Sequence, residues 1–215
     1  MPLIGDHAPE FHAMTTQGKI DFPADYKGSW VVLFSHPADF TPVCTTEFIA
    51  LSRMNETFES LNTKLIGLSI DSLHSHLGWI KSIEALNFNN EGKVKIPFPI
   101  IADISMNVAR KYGMLQTVAN TQTVRAVFII DPEGIIRTIL YYPMSTGRNI
   151  SEIIRILQSL QLNDKTHYST PANWQPGDAV VMGAPLTIEE AQERLESSDN
   201  TIKPLDWYLT MKKMK

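Results

Sequence analysis

The stretch Ser35-His36-Pro37-Ala38-Asp39-Phe40-Thr41-Pro42-Val43-Cys44-Thr45-Thr46-Glu47 is the most informative part of this chain and contains its only cysteine, Cys44. The residues just before it, 30–34, form an unbroken apolar run of strand length. After Cys44, apolar residues recur at spacings of three and four, as they do on one face of an amphipathic helix: Phe48, Leu51, Met54, Phe58 and Leu61. The pattern predicts a buried strand that leads into a helix, with Cys44 at their junction.

The position of Cys44 within that helix indicates a reactive thiol. Thr41 is a good N-cap residue and Pro42 suits the first helical position, so Cys44 falls in the first turn. Backbone N–H groups there have no partner inside the helix, and together with the helix dipole they favour the thiolate over the thiol. The alternative is an inert, buried cysteine that packs as a small apolar side chain. The capped helix start favours the reactive cysteine.

Length and composition limit the class of protein. The chain has 215 residues, 43% of them hydrophobic, which is enough to bury a full core. Its formal net charge of −4 argues against nucleic acid or an anionic membrane as a partner. No stretch approaches the ~20 apolar residues of a membrane span, and the first residues do not resemble a secretory signal. A single cysteine excludes an internal disulfide framework, so we expect a reducing, cytoplasmic location.

Strand-like and helix-like segments alternate along most of the chain. Strands are predicted at 30–34, 64–70, 98–102, 126–131 and 135–142, and helices at 45–61, 73–86, 106–112 and 150–160. The turn residues Asp131-Pro132-Glu133-Gly134 predict that the last two strands pair antiparallel. These elements predict an α/β fold with a mixed central sheet covered by helices.

The pattern changes after about residue 162, where prolines and glycines interrupt a segment with one clear helix at 188–195. We therefore predict a main domain over 1–164 and a small appendage over 165–215. The appendage has too little apolar material to be stable alone. Its Trp174, Trp207 and Tyr208 are expected to be buried against a partner subunit.

The motif around Cys44 resembles the active site of the peroxiredoxins. Their pattern Pro-x-x-x-Thr-x-x-Cys is matched by Pro37, Thr41 and Cys44, and their distant arginine by Arg125 in the run 124–131. The runs 34–37, 40–47, 68–72, 97–100, 142–149 and 174–178 look like the subfamily that contains the 1-Cys peroxiredoxins and their long archaeal relatives. The resemblance covers nearly the whole chain. It implies a thioredoxin-like fold and a thiol-dependent peroxidase that reduces hydrogen peroxide and organic hydroperoxides.

The chemistry of peroxide reduction suggests a role for each residue of the motif. A thiolate that attacks one peroxide oxygen needs an activated sulfur, a positioned peroxide and stabilisation of the departing charge. Arg125 would supply a fixed positive charge near the sulfur, and the Thr41 hydroxyl would bond to the peroxide oxygens. The N–H groups of Val43 and Cys44 would meet the polarised oxygen, and Pro37 would shield the thiolate from water. The ordinary alternatives are a surface salt bridge for Arg125 and a plain helix cap for Thr41.

Three further residues carry weaker signals. The resemblance suggests that His36 lines the peroxide pocket, although a lone histidine is as often structural. Glu47, one helical turn beyond Cys44, could orient Arg125 or Arg148, or it could simply be an acidic residue that the helix dipole favours. Arg148 would add a second guanidinium near the site.

We predict no metal and no cofactor. His74 and His76 are two positions apart on a predicted helix, so they face different ways, and no third ligand is evident in the sequence.

The single cysteine also predicts the catalytic cycle and its partners. Glu47 stands where a Cys-x-x-Cys motif would have its second cysteine, and residues 203–215 lack the further cysteines of many long archaeal relatives. A Cys44 sulfenic acid must therefore be resolved by an external thiol, either a thioredoxin-like protein or a small thiol. The resemblance implies a homodimer, often assembled as a ring of five dimers. The alternative function is an oligomeric holdase chaperone, which would need exposed apolar surface and no thiol chemistry.

Overall fold

The computed structural model describes residues 1–117 and 120–214. These residues form two compact units, Met1–Ile150 and Ser151–Lys215. The predicted boundary at 164/165 lies near the end of a helix that runs over Ile150–Thr166, so the units divide at the start of this helix rather than near its end.

A sheet of seven strands forms the centre of the first unit. Its strands are β1 (Phe11–Thr15), β2 (Gly18–Phe22), β3 (Trp30–Ser35), β4 (Thr63–Ser69), β5 (Ile100–Ala102), β8 (Arg125–Ile130) and β9 (Ile136–Tyr142). Their order in the sheet is β2-β1-β5-β4-β3-β8-β9. Two further strands, β6 (Leu115–Thr117) and β7 (Asn120–Thr123), pair with each other, and the helices are α1 (Pro42–Arg53), α2 (Asn55–Ser60), α3 (Leu73–Ala85) and α4 (Asn107–Lys111).

Strand β3 is central because both of its neighbours are long core strands. It pairs parallel with β4 and antiparallel with β8, while β8 and β9 form the predicted antiparallel hairpin. All six residues of β3 are buried, which explains why its sequence is continuously apolar rather than alternating. The predicted α/β fold with a mixed sheet and thioredoxin-like architecture is confirmed.

Alternate residues of β3 pack on opposite faces of the sheet. Leu33 lies in a buried cluster with Ile66 and Phe128, whereas Phe34 packs edge-on against Phe48 of α1, with ring centroids 5.5 Å apart. Phe48 is itself fully buried and anchors α1 across the end of β3. This packing fixes the helix that carries Cys44.

Some elements differ from the sequence-based expectation. The predicted helix at 45–61 is two helices, because the backbone leaves the helical region at Met54 (φ −93°, ψ 4°) while the apolar spacing continues across the break. Strand β5 starts at Ile100 rather than at 98, because Pro99 has no N–H to donate to a neighbouring strand. The hairpin of β1 and β2 was not predicted, since its strands are largely exposed and mix apolar with polar residues without a clear alternation.

The second unit begins with helix α5 (Ile150–Thr166), which is longer than the predicted 150–160. It also contains helix α6 (Ile188–Leu195), where the sequence predicted it, and three short strands that were not predicted: β10 (Val180–Val181), β11 (Ile202–Pro204) and β12 (Thr210–Lys212). The strands form an antiparallel sheet in the order β10-β12-β11. None of the helices in the described part of the chain is long and apolar enough to cross a membrane.

Candidate active site

The cysteine lies where β3 passes through a short loop, residues 36–41, into α1. Pro42 is the first helical residue and Cys44 lies in the first turn, completely buried. Thr41 occupies the N-cap position with an extended backbone, but its hydroxyl does not cap the helix as predicted. The Thr41 hydroxyl instead donates to the carbonyl of Ala38, 2.8 Å away. Within residues 1–117 and 120–214, no acceptor is found for the N–H groups of Val43 and Cys44.

Arg125 reaches the sulfur from the neighbouring strand. It is the first residue of β8, and the antiparallel pairing of Phe34 with Val127 brings it beside the end of β3. Its Nη1 lies 3.2 Å from Sγ of Cys44. Its Nε and Nη2 donate to the carbonyl oxygen of Met144 at 3.0 and 2.7 Å. Arg125 is only 3% exposed, so it is a fixed, buried charge and not a surface salt bridge.

Glu47 holds Arg125 and Arg148 together. Its Oε2 accepts from Nη1 of Arg125 at 2.8 Å and from Nη2 of Arg148 at 2.6 Å. Its Oε1 accepts from Nε of Arg148 at 2.9 Å and from the backbone N–H of Arg148 at 2.8 Å. Burial alone would raise the pKa of the Glu47 carboxyl, but the charges and hydrogen bonds of the arginines outweigh it and lower the pKa. The Glu47 carboxylate therefore contacts both of the arginines, Arg125 and Arg148, that it was suggested to orient.

This ionic cluster places positive charge beside the sulfur of Cys44. Two buried guanidinium groups, Arg125 and Arg148, share one carboxylate, so among the described residues one positive charge has no carboxylate partner. In low-dielectric surroundings such a charge attracts an anionic group more strongly than it would in water. Arg148 is linked to the sulfur site through Glu47. Its guanidinium donates to the Glu47 carboxylate and to the carbonyl oxygens of Ser35 and Ala126.

Two other predicted residues lie in the loop before α1. Pro37 is buried, as a shield for the sulfur would need to be. His36 is completely buried, and its ring packs edge-on against Phe48 with centroids 4.9 Å apart. Its Nε2 lies 2.9 Å from Oδ1 of Asp39, while its Nδ1 has no hydrogen-bond partner among the described residues. Burial lowers the pKa of His36 below its ordinary value. A role for His36 in lining a peroxide pocket stays a prediction.

Sequence reasoning missed two residues of the site, Asp39 and His76. Nδ1 of His76 lies 3.0 and 2.8 Å from the two carboxylate oxygens of Asp39, which also faces His36. Asp39 stood in the quoted motif without an assigned role. His76 is buried while His74 is exposed, so the two histidines do face different ways. Among the described residues, His36, Asp39 and His76 have potential ligand atoms within 4.8 Å of one another. That no metal binds stays a prediction.

A buried cysteine in the first turn of a helix, in contact with a buried arginine, is the arrangement of a thiol-based redox site. Comparison with known proteins identifies its class. Residues 4–139 match the family model of the AhpC/TSA family, and residues 159–198 match the C-terminal domain of 1-Cys peroxiredoxin.

The matches to individual relatives extend over whole chains. The chain is 57% identical over 215 residues to a peroxiredoxin of Methanosarcina mazei, covering 99% of this chain and 98% of the relative. It is 47% identical over 225 residues to a peroxiredoxin of Aquifex aeolicus, covering 100% of this chain and 98% of the relative.

Two solved structures are similar to the full chain. One is a yeast mitochondrial 1-Cys peroxiredoxin, described with its thiol resolving mechanism through glutathione and thioredoxin systems (41% identity, TM-score 0.86, 100% of both chains). The other is a mutant of the peroxiredoxin 6 of Arenicola marina (35% identity, TM-score 0.85, 100% of both chains). The chain therefore belongs to the peroxiredoxin (AhpC/TSA) family, the thiol-dependent peroxidases. Its single cysteine fits the 1-Cys mechanism.

Proposed function

We propose that this peroxiredoxin reduces hydrogen peroxide and organic hydroperoxides at Cys44, with Arg125 and Thr41 as the groups that bind the peroxide. The observation that carries this proposal is the contact of 3.2 Å between Nη1 of Arg125 and Sγ of Cys44 inside a buried site. The Cys44 thiolate attacks the outer oxygen of R–O–O–H and the O–O bond breaks. The sulfur takes over the outer O–H and is oxidised to S–OH. The other oxygen leaves with its substituent as alkoxide or hydroxide, which takes up a proton.

Donors are available for the peroxide oxygens. A guanidinium has five N–H groups, and the contacts of Arg125 to Cys44, Glu47 and Met144 use four of them. One N–H on Nη2 remains for the oxygen on which charge develops. The free N–H groups of Val43 and Cys44 add donors at the helix start. The Thr41 oxygen can accept from the peroxide, since its own hydrogen is directed to Ala38.

The sulfenic acid is resolved by an external thiol. Cys44 is the only cysteine of the chain, so an internal disulfide cannot form. The yeast relative is described with glutathione and thioredoxin systems, and we propose the same two chemical classes of reductant here, a small thiol or a thioredoxin-like protein. A reducing, cytoplasmic location suits such a cycle.

We further propose that the chain is a homodimer that assembles into a ring of five dimers, with residues 165–215 as the oligomerisation domain. Support comes from the apolar side chains that the second unit exposes: Leu186 (92%), Ile188 (74%), Leu205 (58%), Tyr208 (51%) and Trp207 (49%). An isolated chain would leave these in water. Sedimentation velocity at micromolar concentration should show a species larger than a monomer, and a stable monomer would contradict the proposal.

The oxidation product tests the cycle. One equivalent of hydrogen peroxide should add a single oxygen to the intact mass, and dimedone should trap it. Excess peroxide should add a second and a third oxygen. The Cys44→Ser variant should add none and should consume no peroxide. A disulfide-linked dimer as the main product would mean that Cys44 is more accessible than its burial indicates, and that the 1-Cys cycle is wrong.

The same variant separates the peroxidase from the holdase alternative, for which the comparisons offer no support. A holdase would suppress aggregation of a heated client protein equally well with and without Cys44. A peroxidase would lose its activity completely with the thiol.

A further inference from the structure

Asp39, in the loop that precedes α1, is the centre of a second buried polar cluster. Its carboxylate faces the rings of His36 and His76, and all three side chains are almost completely buried, with exposures of 7%, 0% and 0%. Burial alone would raise the pKa of the Asp39 carboxyl, but hydrogen bonds from the two histidines outweigh it and lower the pKa below its ordinary range. Asp39 is therefore a buried carboxylate held by hydrogen bonds from two imidazole rings.

Hydrogen-bond geometry makes both ring nitrogens of His76 donors. Its Nε2 lies 3.1 Å from the carbonyl oxygen of Ile101, which can only accept. Its Nδ1 lies within 3.0 Å of both carboxylate oxygens of Asp39, which also only accept. His36 donates from Nε2 to Asp39 and keeps an unprotonated Nδ1.

The cluster holds the loop that precedes Cys44. Besides binding the two histidines, Asp39 donates its backbone N–H to Oδ2 of Asp71, 3.0 Å away. Asp71 is held in turn by the hydroxyl of Ser69 at the end of β4. The neighbouring residue Ala38 supplies the carbonyl that orients the Thr41 hydroxyl at 2.8 Å. A chain of short contacts therefore runs from His76 on α3, through Asp39, to the hydroxyl next to the peroxide site.

We propose that His76 is a positioning residue for peroxide reduction: as a buried donor to both Asp39 and Ile101, it fixes residues 36–41 and so the direction of the Thr41 hydroxyl. His76 touches neither sulfur nor peroxide. The inference rests on the role proposed above for Thr41. It predicts that a disturbed His76 impairs the reaction with peroxide more than the general reactivity of the thiol.

A metal ion is the competing occupant of the cluster, because the same three side chains could act as ligands. Protons already account for every contact of His76 and for the contact of His36 with Asp39 at hydrogen-bond distances. A metal would replace the protons on His36 Nε2 and His76 Nδ1. The two occupants therefore differ in the metal content of the purified protein, which should be far below one ion per chain.

Two substitutions of His76 separate its two hydrogen bonds. The amide nitrogen of asparagine can take the place of Nδ1 and donate to Asp39, whereas that of glutamine can take the place of Nε2 and donate to Ile101. We expect His76→Gln to lower the second-order rate constant for hydrogen peroxide by about 10- to 100-fold, because a loosened loop misplaces the Thr41 hydroxyl. His76→Asn should stay within about threefold of wild type. His74→Asn and His74→Gln, at the exposed histidine of the same helix, are the matched controls.

The alkylation rate of Cys44 by iodoacetamide is the second measurement, since alkylation does not need the Thr41 hydroxyl. In His76→Gln the peroxide rate should fall while the alkylation rate stays near that of wild type. Equal peroxide rates in the Asn and Gln variants, or a parallel fall of peroxide and alkylation rates, would overturn the proposal. Stoichiometric metal in the purified wild type would overturn it too.

A measurement on the wild type keeps the proposal testable if the variants do not fold. The ¹⁵N spectrum of labelled imidazole rings at neutral pH should show two protonated nitrogens on His76 and one on His36, and a neutral His76 would refute the inference. Thr41→Val provides the separate check on the proposed function. If Thr41→Val leaves the peroxide rate unchanged, the role of Thr41 is wrong. If it lowers that rate while His76→Gln does not, only the role of His76 is wrong.

Discussion

Two buried carboxylates flank the cysteine in the sequence, Asp39 before it and Glu47 after it, and each is shared by two nitrogen-containing side chains. Glu47 is held by Arg125 and Arg148, and Asp39 by His36 and His76. The Glu47 cluster touches the sulfur through a guanidinium. The Asp39 cluster has no hydrogen bond to the sulfur among the described residues and instead holds the preceding loop.

The difference between arginine and histidine explains this division. A guanidinium stays charged at any pH a protein meets, so the Glu47 cluster supplies a permanent positive charge to the thiolate. An imidazole has only two ring nitrogens, and those of His76 bond to the Asp39 carboxylate and to a backbone carbonyl rather than to the sulfur. We therefore expect the first cluster to control the reactivity of the sulfur, and the second the geometry of the loop.

The largest expected effect is on stability, and it distinguishes the two carboxylates. Glu47→Gln leaves two arginine charges buried without a counter-ion, and we expect it to lower the free energy of unfolding by about 3–5 kcal/mol. Asp39→Asn should cost less, about 1–3 kcal/mol, because its partners are imidazole rings rather than permanently charged guanidinium groups. Denaturant unfolding at pH 7 measures both changes, with the exposed Glu56→Gln as a control near zero. An equal cost for the two variants would show that the clusters do not differ in this way.

The next effect is on the rate of peroxide reduction. Arg125→Ala should lower it by about 10²–10³, the usual loss when one preorganised donor to developing charge is removed. Alkylation of Cys44 should also slow, because the thiolate loses its neighbouring charge. Stopped-flow rates with hydrogen peroxide test this, with the exposed Arg110→Ala as the control. A loss below about threefold would contradict the role of Arg125.

Thr41 should show the complementary pattern. Thr41→Val keeps the shape of the side chain but removes the hydroxyl, so the peroxide rate should fall by about 10² while the alkylation rate changes little. Thr41→Ser retains the hydroxyl and should restore most of the peroxide rate. If the valine and serine variants are equally slow, the methyl group and not the hydroxyl matters.

The smallest effect is a two-stage loss of stability in acid. The pKa of His36 is lowered from an ordinary value of 6.5, so below that pH the unfolded chain takes up a proton that the folded chain resists. The pKa of Glu47 is lowered from 4.5, so its contribution is complete above that pH and is lost as the pH falls further. Stability should therefore decline with a slope of up to about 1.4 kcal/mol per pH unit between pH 6 and 5, and more steeply below pH 4.5.

Denaturant unfolding of the wild type and of His36→Asn at matched pH values tests this. The variant should lose the decline between pH 6 and 5 and keep the one below pH 4.5. A variant that declines as steeply as the wild type in the upper range would mean that His36 is not the group that titrates there.

Elements whose pattern is local could be predicted from the amino-acid sequence alone. Residues 30–34 were recognisable as a buried strand because β3 is covered on both faces, and Pro42 marked the start of α1 because proline costs nothing at that position. The β8–β9 hairpin was also predictable, because the residues of its turn, 131–134, are local in the sequence. Arg125 was found only through the family resemblance, since nothing in its own neighbourhood points to Cys44.

The partners of the buried charges became clear only from the folded chain. Arg125 lies 81 residues from Cys44 along the chain, and His76 lies 37 residues from Asp39, so their meeting depends on strand order and helix packing rather than on spacing. The hydroxyl of Thr41 points to Ala38 instead of capping α1, because a local carbonyl competes with the helix N–H groups. A sequence pattern records which side chains are apolar. It does not record which buried polar group completes the hydrogen bonds of another. The members of the Glu47 and Asp39 clusters are therefore known only from the folded chain.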